Sequence, residues 1–305
     1  MKDNIHLECV FEKYISKKLS ELSEHDGWVV SKNDEGFDPN TALYMPDFVA
    51  YLTATVPEKV QTMQEKMKSN WESNLRMALV KSLEVNGTIL TLRDGFAMAG
   101  YQTITCSGHF PDDPRLPRQK DFYDNNILRV MHQVHYQTAG NKSLDLVFFI
   151  NGIPVATAEI KTELTQTVQD AITEYQTERK PIEPGTNRKN YLLMYKRGAV
   201  VHFAISEDEI WMCTNLEPEK PRFLPFNKGN NDHAGNPPMK ADAEEYPTGY
   251  FWNEICRKDN WLRIFHNFVF EEEEQKEDST GRMRTKKVQI FPRFHQWDCV
   301  TRCMD

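Results

Sequence analysis

The chain has 305 residues, of which 39% are hydrophobic and 27% charged, enough for one large or two modest domains around a sizeable core. A net charge of −8 argues against a domain held on nucleic acid by bulk positive charge, unless acidic site residues cause the deficit and partner subunits carry the phosphate contacts. No run is long and apolar enough for a bilayer span, the N-terminal stretch lacks a signal-peptide core, and the six scattered cysteines contain no Cys-x-x-Cys pair. A membrane protein, a disulfide scaffold and a cysteine-built zinc site are therefore disfavoured, and the expectation is a cytoplasmic protein.

Residues 5–24 carry a helical apolar stripe, Leu7, Phe11, Ile15, Leu19 and Leu22, with Glu8 and Glu12 one turn apart. Residues 36–57 are irregular, and a long helix is predicted over 56–84. Residues 88–93 and 101–106 alternate in the strand manner and are predicted to open the main sheet. Residues 107–120 hold three prolines and read as a loop, whose Arg115, Arg118 and Lys120 either meet a polyanion or stay solvated. Residues 126–136 are predicted as a strand; His132 and His135, three apart, do not share a strand face and are not proposed as metal ligands.

Residues 143–161, SLDLVFFINGIPVATAEIK, contain two apolar runs rich in β-branched and aromatic residues, separated by Asn151-Gly152. This is a strong hairpin signal. Asp145, Glu159 and Lys161 interrupt it, and charges are seldom buried in strands without a partner or a task. On a strand Glu159 and Lys161 share one face while Ile160 points the other way. Two converging carboxylates suit a hard divalent cation such as Mg²⁺, and an adjacent lysine can orient an attacking water, which points to phosphodiester hydrolysis. A plain two-residue turn would set Asp145 and Glu159 on opposite faces. The chemistry therefore requires an irregularity in the hairpin, for which Pro154 is the natural place because it cannot donate to a ladder, or a bend at Asp145.

Beyond the hairpin, residues 165–180 are predicted as a helix stopped by Pro181, 191–205 as two strands turning at Arg197-Gly198, and 210–214 as another strand. Residues 216–249 are rich in Pro, Gly and Asn and read as a long excursion or boundary. Short helices are expected over 251–264, a solvated acidic turn over 271–278, and a basic stretch over 282–287. The segment 288–303 suggests an amphipathic helix with Phe294, Trp297 and Val300 inward.

The arrangement Asp145…Glu159-Ile160-Lys161 resembles the PD-(D/E)XK nuclease motif, and its wider context resembles the N-terminal nuclease domain of the restriction (R) subunit of type I restriction-modification enzymes. The resemblance implies an α/β fold, a mixed sheet flanked by helices over residues 1–228, with a mainly helical segment over 229–305 leading toward a motor region. It implies Mg²⁺-dependent cleavage of double-stranded DNA, with Asp145, Glu159 and the Ile160 carbonyl as metal ligands and Lys161 positioning the water. Glu12 is either a third carboxylate or a solvated residue. Tyr175 and Arg179 are the DNA-contacting candidates of the following helix, where Ala171 stands in place of the Gln common in the family. In Arg293-Phe294-His295-Gln296, Gln296 matches an adenine-reading glutamine. No phosphate-loop motif occurs in the sequence, so ATP is expected only in a longer enzyme, of which this chain would be an N-terminal part. The implied partners are DNA and the methyltransferase and specificity subunits. A stand-alone repair nuclease and a non-catalytic docking module are the alternatives.

Overall fold

The computed structural model describes residues 2–22, 28–111, 115–162, 166–230, 233–238, 245–277 and 283–304. Its centre is a seven-stranded mixed sheet, ordered β1-β4-β5-β6-β7-β8-β9. The strands are β1 (Trp28–Ser31), β4 (Leu128–His135), β5 (Ser143–Ile150), β6 (Ile153–Ile160), β7 (Val201–Ile205), β8 (Ile210–Cys213) and β9 (Leu224–Pro225). β1 runs parallel to β4, and β6 parallel to β7; the other neighbours are antiparallel. The apolar runs of β5 and β6 take the middle of the sheet because both their faces are covered: every residue of β6 is buried.

Alternate residues feed two cores. Leu146, Phe148 and Ile150 join the larger one with the stripe Phe11, Ile15 and Leu19 of α1 (Lys2–Glu21). Val147 and Phe149 join a smaller one under α6 (Val168–Thr177), which contributes Ala171, Ile172 and Tyr175. The mixed α/β architecture is the one expected from the sequence.

Several local expectations change. The stretch expected to be irregular holds α2 (Met45–Thr55), and residues 56–84 are not one helix but α3 (Pro57–Met67) and the start of α4 (Trp71–Asp94), which is kinked at Gly87 (φ 81°). The expected strand over 88–93 is the second arm of α4. Its β-branched composition misleads, since Ile89 and Leu92 are buried and Leu90 lies 47% exposed, a helical period. β2 (Phe96–Met98) and β3 (Tyr101–Ile104) pair with each other apart from the main sheet, whose true first strand is the short β1. The segment 191–205 holds a 3₁₀ turn, Tyr191–Leu193, and the single strand β7. Within 107–120, α5 (Pro117–Asp124) carries Arg118, which lies over the Phe122 ring, and Lys120, which pairs with Asp124.

The expected solvated turn after residue 270 is instead a hairpin of β10 (Phe270–Glu277) and β11 (Met283–Ile290), which sets Glu273 opposite Lys287 and Glu274 opposite Lys286. Asp278 and Arg282, the other ends of those charge runs, lie outside the described residues. The expected break at 228/229 is not a break in the core. Trp261 meets Trp28 at 5.6 Å between ring centroids and Phe291 meets Phe203 at 5.8 Å, while Phe294 and Trp297 of α8 (Phe294–Met304) are buried beside them. Aromatic surface of this size is removed from water wherever a partner exists, and the sheet provides it.

Candidate active site

At the hairpin tip Ile150 faces Ile153 and Phe149 faces Pro154, but Phe148 faces Ala156, so β6 carries Val155 as an extra residue. The register changes at the proline, which has no N–H to give the ladder. Val147 then faces Thr157 and Leu146 faces Ala158; one step further, the same register sets Asp145 opposite Glu159. This is the irregularity the chemistry required. The ladder ends there because Asp145 itself takes over a main-chain partner: the Ile160 N–H donates to its Oδ2 at 2.8 Å.

On the neighbouring strand Gln133 has φ +49°, although the flanking pairs His132–Leu146 and Val134–Leu144 hold. This strained residue stands beside Asp145, and its Nε2 donates to Asp145 Oδ1 at 3.0 Å and to Glu12 Oε1 at 3.2 Å. The Ser143 hydroxyl donates to Gln133 Oε1 at 3.1 Å. Glu12 thus faces the site from α1, with His132 Nδ1 3.8 Å from its other oxygen and Ser16 Oγ 2.8 Å from His132 Nε2. The side chain of Glu8 lies outside the described residues.

Glu159 is 1% exposed. Burial pushes its carboxyl well above the usual range, and the nearby Asp145 pushes it further; Arg179 opposes both, its Nε donating to Glu159 Oε1 at 2.5 Å. Lys161, on the same strand face, lies 3.0 Å from Glu174 of α6, while Ile160 turns into the larger core. Beneath the carboxylates Thr157 Oγ1 is 2.8 Å from both the Tyr175 hydroxyl and His202 Nδ1. Burial holds His202 down to about 3, so this imidazole stays neutral. Among the described residues, no group of three or more His, Cys, Asp or Glu is spaced to hold a metal ion; the two facing carboxylates and Glu12 approach that arrangement through the Gln133 amide.

A family model, type I restriction enzyme R protein N terminus, matches residues 101–221. This segment is therefore similar to the R protein N-terminal domain. No curated protein matches the chain. The matched segment includes Asp145, Glu159, Lys161, Tyr175 and Arg179; Glu12 and Gln296 fall outside it.

Two expected DNA contacts sit elsewhere than the protein surface. Tyr175 is fully buried on Thr157, a floor for the site. Arg179, with a side chain 12% exposed, turns inward onto Glu159 because a buried carboxylate demands a counter-charge. Gln296 is exposed, and its Oε1 accepts the Arg293 N–H at 2.9 Å, closing the first turn of its own helix. The sequence set His132 aside as a metal ligand and gave no role to Gln133 or Glu174. None carried a signal, since each gains its place from the docking of a separate helix or strand. No described helix is long and apolar enough to cross a membrane.

Proposed function

We propose that the R protein N-terminal domain hydrolyses phosphodiester bonds of double-stranded DNA with Mg²⁺. In the whole type I enzyme, cleavage would be coupled to ATP-driven translocation and to methyltransferase and specificity subunits. The observation that carries this reading is the register change at Pro154, which aligns Asp145 with Glu159. A hairpin that only supported the sheet has no need of it. The residues fit a hard cation: the candidate donors are all oxygens, and Glu159, whose carboxyl is pushed up by burial and by the nearby Asp145, gains from added positive charge.

Asp145, Glu159 and the Ile160 carbonyl would hold the ion, with Glu12 reached through Gln133. Bound there, Mg²⁺ supplies charge stabilisation for the phosphate oxygens and a lowered water pKa. Lys161, steadied by Glu174, orients the water for in-line attack, and the Tyr175–Thr157–His202 layer keeps the carboxylate end of β6 rigid.

Calorimetric titration of Mg²⁺ or Mn²⁺ into the wild type, Asp145→Ala and Glu159→Ala tests the assignment, together with nicking of supercoiled plasmid. The expected result is metal binding abolished by either substitution, and nicking abolished by Lys161→Ala while metal still binds. A wild type that binds no metal and behaves like its folded variants would leave only the docking-module reading.

A further inference from the structure

Arg179 follows the C-terminal end of α6, and its contacts are all acidic or phenolic. Nε is bonded to Glu159, Nη2 lies 3.6 Å from Glu174, and Nη1 lies 3.6 Å from Glu178. The Tyr136 phenol lies beside it, close enough to interact electrostatically. These partners form a graded path: the side chain of Glu159 is 1% exposed, that of Glu174 27%, and that of Glu178 52%. The guanidinium therefore sits at the buried end of a run of carboxylates that leads outward.

A buried carboxylate is costly without a counter-charge, and here that charge is Arg179. A divalent cation between Asp145 and Glu159 would bring two positive charges to the same oxygens. A guanidinium within hydrogen-bond distance of one of them repels such an ion strongly where the dielectric is low. The carboxylate that serves as ligand thus has two competing partners, one built into the chain. Once off Glu159, the guanidinium still has Glu174 and Glu178 within reach, closer to solvent, and its planar fork matches the oxygens of a phosphodiester.

We propose that Arg179 is a positioning residue exchanged for the metal: it holds Glu159 in place until a divalent cation displaces it, and the displaced guanidinium then meets a backbone phosphate of the DNA. Metal loading and DNA engagement are coupled through this one side chain. The inference rests on the nuclease reading above, and it predicts effects of opposite sign on the two ligands.

The test uses the whole chain and Arg179→Met. Mn²⁺ affinity is measured by calorimetry, and binding of a short fluorescent duplex by anisotropy, with and without Ca²⁺, which permits binding without turnover. The variant is expected to bind Mn²⁺ about tenfold tighter than the wild type, while the gain in duplex affinity brought by Ca²⁺ shrinks to about twofold or less. A merely structural role would move both in one direction, because a misplaced Glu159 loses the metal and the metal-dependent DNA binding together. A folded variant that binds Mn²⁺ no tighter than wild type, or keeps the full Ca²⁺-dependent gain, overturns the exchange. If Arg179→Met does not fold, Arg179→Lys keeps one charge without the fork; intermediate values support the proposal, and wild-type values overturn it. Absence of metal binding in both wild type and variant is the distinct outcome that removes the nuclease reading, and this inference with it.

Discussion

The β5–β6 and β10–β11 hairpins are both made of two eight-residue antiparallel strands, and both carry charge, but they use it in opposite ways. In β10–β11 the described side chains at positions 271–275 and 287 are exposed, and charges of opposite sign face each other across the ladder. Glu273 and Lys287 face each other in water, where such a pair contributes only tenths of a kcal/mol, and Glu271 pairs with the half-buried Lys196. In β5–β6 the charges sit at the end of an apolar ribbon. Their partners come from other elements: Gln133 of β4, which also reaches Glu12 of α1, and Glu174 and Arg179 at α6. A charge whose compensation must be imported costs the fold something, and this is the physical ground for assigning the task to β5–β6.

The comparison breaks most directly at the hairpin tip. Gly152 has φ +75°, and a Cβ there would stand 2.0 Å from the Tyr44 carbonyl oxygen, part of the backbone that docks the tip. Gly152→Ala is expected to destabilise the protein by on the order of 4 kcal/mol, read by urea unfolding. A loss below about 1 kcal/mol would mean that the tip is not locked by its surroundings.

Glu159 gives a pH signature of intermediate size. Its carboxyl binds a proton more readily folded than unfolded. The native state then binds more protons than the unfolded state, and stability falls as pH rises above the ordinary glutamate range through the raised value. Glu159→Gln removes that slope: the variant should gain on the wild type as pH rises above the ordinary glutamate value of about 4.3 in denaturant unfolding without metal. Parallel curves would show that Arg179 compensates the charge completely.

The smallest effect belongs to the exposed hairpin. Glu273→Lys sets two ammonium groups opposite each other at Lys287 and should cost about 0.5 kcal/mol, fading in about 1 M salt. A larger or salt-independent loss would place β10–β11 in the same class as β5–β6.

How much of this was legible in the residues differs between the two hairpins as well. The apolar runs, the Asn151-Gly152 turn and the need for an irregularity near Pro154 could be read directly, because strand alternation and the missing proline N–H are local properties. The acidic and basic runs of β10 and β11 looked like a turn and a tail; their pairing depends on a register between separate segments. The Thr88 to Leu92 stretch misled for the same reason, since composition favoured a strand while burial of alternate helical positions decided the outcome.

For the site, the sequence by itself determined the chemistry available: two carboxylates and a lysine, with Glu159 and Lys161 put on one face by the two-residue strand period. Tertiary structure alone decided what neutralises them. The inward turn of Arg179, the pairing of Lys161 with Glu174 and the strained Gln133 amide between Glu12 and Asp145 all arise where separate elements meet. Electrostatic compensation acts through space over a few ångströms, between residues that lie 12 to 121 positions apart in the chain, and no local pattern encodes it.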